Sequence, residues 1–181
     1  MEDNSVDHNL LLATDLSCRC DRALDRAAQL ARAWEAKLLV VHAIDPDYAA
    51  RYAKITQELP SWRRPEDYRT IASRRLNRDL EADNIDAEIY MAEGVPHKII
   101  LEAALRENSN LVITGVGRDE PLARTQFGSA LDELLQELSI PLLIVRRRVR
   151  GPYRHVVMQQ ISRQLRDLLL RLRCAGLVIH N

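Results

Sequence analysis

The residues of this chain whose types and spacing could do chemistry are Gly115, Gly117, Gly128 and Ser129, set in NLVITGVGRDEPLARTQFGSALDELLQELSIPLLIV, residues 110–145. The string reads as a buried strand, a glycine-bearing loop, a helix that opens on Gly128-Ser129, and a second buried strand. A helix beginning at such a pair aims unpaired backbone N–H groups and the positive end of its dipole at the loop, which makes a ready phosphate site. Ser129 can add a hydroxyl donor or a cap. The loop follows a late strand, which argues against a Rossmann fingerprint. No Gly-x-x-x-x-Gly-Lys-Ser/Thr string occurs, which excludes a P-loop.

The elements that must position this loop can be read from periodicity. Asn9 to Thr14 is a continuous apolar run, as in a strand buried on both faces, with Asp15 just beyond it. After Ser17, residues such as Ala23, Ala27, Leu30 and Trp34 recur at helical spacing. Leu38 to Ala43 reads as a second strand, ended by Asp45-Pro46. Residues 46–64 show no clear pattern. A second helix is expected from near Glu66, with Tyr68, Ile71, Ala72, Leu76 and Leu80 on one face. Ala87 to Met91 alternates as a half-exposed strand does, and Pro96 stands where a first-turn proline belongs, ahead of a third helix through Leu105. Leu111 to Thr114, Ser129 to Leu138 and Pro141 to Val145 complete five strands and four helices. That alternation predicts an α/β domain with a mostly parallel, doubly wound sheet and helices on both faces.

Several function classes are excluded by composition. The chain of 181 residues is 46% hydrophobic and 29% charged, as a soluble globular protein is. The polar start MEDNSVDHN lacks the features of a secretory signal, and no apolar run approaches the ~20 residues of a membrane span. Three cysteines, Cys18, Cys20 and Cys174, form no even framework, so a cytoplasmic location is expected. The net charge is zero, yet residues 146–181 hold nine arginines against the single acid Asp167. The body is correspondingly acidic. The basic tail is expected to lie as a solvated face or make salt links to the acidic body, and with only Tyr153 to stack on a base, nucleic acid is not the expected partner.

At these residues the chain resembles the universal stress protein family. That family's nucleotide motif is Gly, two residues, Gly, nine residues, then Gly-Ser or Gly-Thr. Gly115 and Gly128 keep the outer spacing and Ser129 follows, whereas the middle glycine is displaced to Gly117 and Arg118 stands in its place. The resemblance extends through residues 10–45 and 92–104 and covers roughly residues 8–149. It implies strand order 3-2-1-4-5, which sets the first and fourth strands side by side where the winding reverses, and ligands of open α/β sheets bind at such a point. It further implies ATP or a related adenine nucleotide, with Mg²⁺, as ligand. Asp15 and Val41 would face the nucleoside, with Ala43 near the base, and Gly115, Gly117, Arg118, Gly128 and Ser129 would face phosphate and ribose. A homodimer through the last strand, Pro141 to Val145, is implied as well.

Alternatives stay open at each of these residues. Arg118 brings a Cβ to where backbone should approach phosphate, although its guanidinium, or that of Arg124, could pair with phosphate oxygens. Asp119 and Glu120 repel a polyphosphate unless they hold Mg²⁺. The loop also suits a nucleotide-free dimeric adaptor acting through an unknown protein partner. Asp15 suits a turn or helix cap equally well. His42 reads as a packed strand-end histidine and His97 as an exposed first-turn residue. Cys18-Arg-Cys20 is too close for a structural zinc site, so no metal site of the protein's own is expected. No serine sits in a nucleophile elbow and nothing nominates a general base, so an enzyme is not expected. The domain is expected over residues 1–149. Residues 150–181, Arg-rich after Arg150-Gly151-Pro152, read as a partial βαβ repeat of the same domain that must pack on the first domain or on a partner.

Overall fold

The computed structural model describes residues 8–115 and 129–145. Five strands, β1 (Asn9–Ala13), β2 (Lys37–Ile44), β3 (Glu88–Glu93), β4 (Leu111–Gly115) and β5 (Leu142–Val145), pair in the order β3-β2-β1-β4-β5. Every pairing is parallel. The five described α-helices are α1 (Cys18–Trp34), α2 (Pro46–Gln57), α3 (Tyr68–Ala82), α4 (Pro96–Arg106) and α5 (Ser129–Glu137). The expected order and class hold. The Arg-rich extension lies outside the described residues.

Strand side chains alternate between two cores because successive residues of a strand point to opposite faces. Leu10, Leu12, Leu38, Val40 and Ile113 face Ala23 and Ala27 of α1 and Leu76 and Leu80 of α3. Leu11, Ala13, Leu39, Val41 and Val112 face Ile99, Ile100 and Ala103 of α4 and Leu134 of α5. Helices therefore cover both faces, and β1 at the centre is apolar and buried from Leu10 to Ala13 because neither side of that stretch meets water.

The unpatterned stretch 46–64 contains α2 and a short 3₁₀ turn, Ser61–Arg63. Asp45-Pro46 does end β2, and it also starts a helix. Asp45 is the N-cap, its carboxylate accepting from the N–H groups of Asp47 and Tyr48, and Pro46 holds the first position. Helical periodicity could not reveal α2, since none of its residues is buried. Asp67 caps α3 in the same way, accepting from Thr70 N–H at 3.0 Å and from its hydroxyl at 2.6 Å. These bonds hold the Asp67 carboxyl below its ordinary pKa.

Leu11 is fully buried in the layer beneath α4. Leu11→Ala should cost about 2–5 kcal/mol of stability, read as a lower urea midpoint with an unchanged denaturant slope.

Candidate functional site

The winding of the sheet reverses between β1 and β4, which run side by side with Ala13 opposite Thr114. The Thr114 hydroxyl donates to the Ala13 carbonyl at 3.4 Å, closing the pair at its carboxyl end. Asp15 follows two residues beyond Ala13, and Gly115 is the last residue of β4. Since β4 and β5 are parallel, α5 between them must run back down the sheet. Its first turn, opening at Ser129, therefore stands at the carboxyl edge, where its backbone N–H groups favour an anion.

The loop after β1 is held by its own short polar side chains. Thr14 N–H donates to the Val41 carbonyl at 2.9 Å. Thr14 Oγ1 accepts from Leu16 N–H at 3.1 Å, and Leu16 adopts the left-handed region at φ 60°. That conformation costs a non-glycine residue roughly 1–2 kcal/mol. Asp15 Oδ1 accepts from Ser17 N–H at 2.8 Å and from the Cys20 thiol at 3.1 Å. Asp15 thus has the turn-forming role that its residue type allowed, and its side chain is exposed beside the switch point.

Val41 is 1% exposed and its side chain belongs to the core beneath α4. Its contribution at the crevice is the strand backbone on which Thr14 rests. Ala43, on the same face of β2, is half-buried. The structure brings together Asp15, Val41, Gly115 and the start of α5. Gly117, Arg118 and Gly128 lie outside the described residues.

His42 is packed at the end of β2, as expected, with 3% of its surface exposed. Its Nδ1 lies 2.9 Å from the Thr14 carbonyl and its Nε2 3.3 Å from the Tyr68 hydroxyl. No sequence signal could join Tyr68 to this group, because it sits 26 residues away at the start of α3. His97 departs from expectation. It is 6% exposed and its Nδ1 pairs with the Glu133 carboxylate, tying the first turn of α4 to α5. The signal was present, since His97 shares a helical face with the buried Ile100 and Ala104.

A cavity of about 520 Å³ lies at the opposite, amino end of the sheet. Its lining carries Glu35, Asp86, Glu88 and Glu107 against Lys37 and Arg32. Arg32 is already engaged by the carbonyls of Asp83 and Asn84. That charge balance opposes a phosphate, so the crevice at the switch point is the better candidate.

Burial pushes the Cys20 thiol up to about 11, and the neighbouring Asp15 charge also opposes its ionisation. The proton is held more tightly in the folded state than in the unfolded chain. Its contribution to stability is therefore complete below about pH 9 and lost as pH rises toward about 11. Cys20→Ala should flatten the alkaline decline in unfolding free energy by on the order of 2 kcal/mol, measured by urea denaturation at stepped pH.

Comparison with known proteins agrees with the fold and extends it. The model of the universal stress protein family matches residues 8–146. A universal stress protein of Thermus aquaticus, encoded in the 3′ region of a QAH/OAS sulfhydrylase, is 29% identical over 148 residues, covering 76% of this chain and 97% of the relative. A universal stress protein solved in complex with cAMP is 24% identical, with a TM-score of 0.52 over 77% of this chain and 97% of that one. One from Archaeoglobus fulgidus, solved in complex with dAMP, is 21% identical, with a TM-score of 0.50 over 76% and 96%. With the family model spanning most of the chain and the strand order in agreement, this protein belongs to the universal stress protein family.

Proposed function

We propose that this protein binds an adenine nucleotide, ATP with Mg²⁺ foremost, in the crevice beyond β1 and β4, and that occupancy changes its contacts with a protein partner under stress. The observation that carries this reading is the convergence of Asp15, Gly115 and the first turn of α5 at the point where the sheet's winding reverses. The family members solved with cAMP and dAMP support an adenine nucleotide as the ligand class.

In this reading the first turn of α5 and the glycines Gly115, Gly117 and Gly128 take phosphate and ribose, with Ser129 and Arg118 beside them. Asp15 and the backbone at Val41 take the nucleoside. The available groups fit a nucleotide: a helix terminus for the anion, a small residue at the end of β4, and a carboxylate opposite. Mg²⁺ would arrive on the phosphates, where Asp119 and Glu120 of the loop could hold it. The chemistry offered is binding rather than turnover, and any hydrolysis would be slow.

β5 forms one edge of the sheet, and we assign it to pairing with a second copy in a homodimer. No described helix is long and apolar enough to cross a membrane. We place the protein in the cytoplasm, with residues 1–149 as the binding domain and 150–181 as a partial repeat. The alternative is a nucleotide-free adaptor, favoured by Arg118 standing at the family's middle glycine.

Calorimetric titration with Mg-ATP separates the two. The expected result is a Kd on the order of micromolar, weakened at least about tenfold by Gly128→Glu, whose carboxylate would occupy the phosphate approach. A folded wild-type protein that takes up none of ATP, ADP and AMP would leave the adaptor reading alone.

A further inference from the structure

We infer that Tyr48, braced by Tyr68, is the outer wall of the base subsite and contributes to affinity by stacking on the nucleobase; this rests on the nucleotide reading above. The direction of the ligand follows from the fold. The anion-attracting end of α5 stands on the β4 side of β1, so a nucleotide anchored there extends across β1 toward β2. Its base then arrives at the carboxyl end of β2, where Asp45 opens α2.

Tyr48 occupies that position. It lies in the first turn of α2, four residues beyond Ile44, with its N–H 3.4 Å from the capping carboxylate of Asp45. Its ring stands edge-on to Tyr68, with centroids 5.0 Å apart at 69°, and 46% of the residue remains exposed. A T-shaped pair of this kind is favourable and leaves the remaining surface of the outer ring available.

The inner ring is fixed by hydrogen bonding. The Thr14 carbonyl can only accept, so His42 Nδ1 carries the proton that points at it. In the neutral imidazole Nε2 is then an acceptor, and the Tyr68 hydroxyl donates to it. A continuous set of contacts, Thr14 to His42 to Tyr68 to Tyr48, thus runs from the loop that carries Asp15 to an accessible aromatic ring. Tyr52, one turn further along α2, also stands edge-on to Tyr68, with centroids 6.0 Å apart.

The test is calorimetric titration of the full chain and its variants with AMP and with CMP. Loss of one base–aromatic stack predicts a five- to tenfold weaker Kd for AMP in Tyr48→Ala, at about the lower end of measured stacking effects. Tyr48→Phe, which keeps the ring, should stay within about twofold. Tyr48→Leu keeps apolar bulk against Tyr68 without a π-face and should behave like Tyr48→Ala, which covers the case in which the alanine variant fails to fold. The smaller pyrimidine of CMP should lose less than AMP does. If wild type binds AMP and the folded Ala and Leu variants bind it equally well, the stacking role is wrong and the nucleotide reading stands. If wild type binds neither ATP nor AMP, the nucleotide reading itself falls and takes this role with it.

Discussion

The constraint on which the rest of this structure depends is that β1 must be hydrogen-bonded along both edges and covered on both faces. Pairing with β2 on one side and β4 on the other satisfies its backbone within the sheet, and after the partly buried Asn9 its side chains, Leu10 to Ala13, are apolar and buried. Parallel neighbours also require crossover helices, and right-handed crossovers send those helices to opposite faces on the two sides of β1. The gap between the outgoing connections is a geometric by-product of that reversal. Here the loop carrying Asp15 and the end of β4 at Gly115 border it.

The loop that crosses this gap is held locally rather than by the core. Thr14, Asp15 and Ser17 are short polar residues able to bond their own backbone, and they fold the chain sharply enough to put Leu16 in the left-handed region. Cys20 adds a thiol donor beneath Asp15 and stays protonated because burial resists its charge. The turn is thus held by bonds within its own segment, and on the nucleotide reading proposed above this would reduce the ordering cost of binding.

Much of this was legible in the residues. The strand order followed from the family resemblance, the α/β class from the alternation of elements, and β1 from its continuous apolar run. The half-exposure of β3 followed from its alternation. What stayed hidden has a physical reason in each case. α2 buries nothing, so it leaves no hydrophobic stripe and is written only in its cap, Asp45-Pro46. His97 was assigned to solvent by its residue type, whereas its spacing from Ile100 and Ala104 set it on the buried face, where Glu133 of another helix meets it. The bond between His42 and Tyr68 joins elements whose proximity only the folded sheet creates. Asp15 was recognisable as a turn or site residue, whereas its bond from the Cys20 thiol depends on the folding of α1 against the loop.

The shallow seating of α2 has a kinetic consequence. Tyr48 and Tyr52 lean on Tyr68, and the helix offers the core no buried residue of its own. Segments attached in this way open by local fluctuation at a small fraction of the global unfolding free energy, and their amides exchange hydrogen early. Opening of α2 would break none of the four strand pairings, since α2 takes part in none of them. On the nucleotide reading proposed above, residence time in the crevice would be governed by how often one lightly anchored helix lifts, separately from how stable the sheet beneath it is.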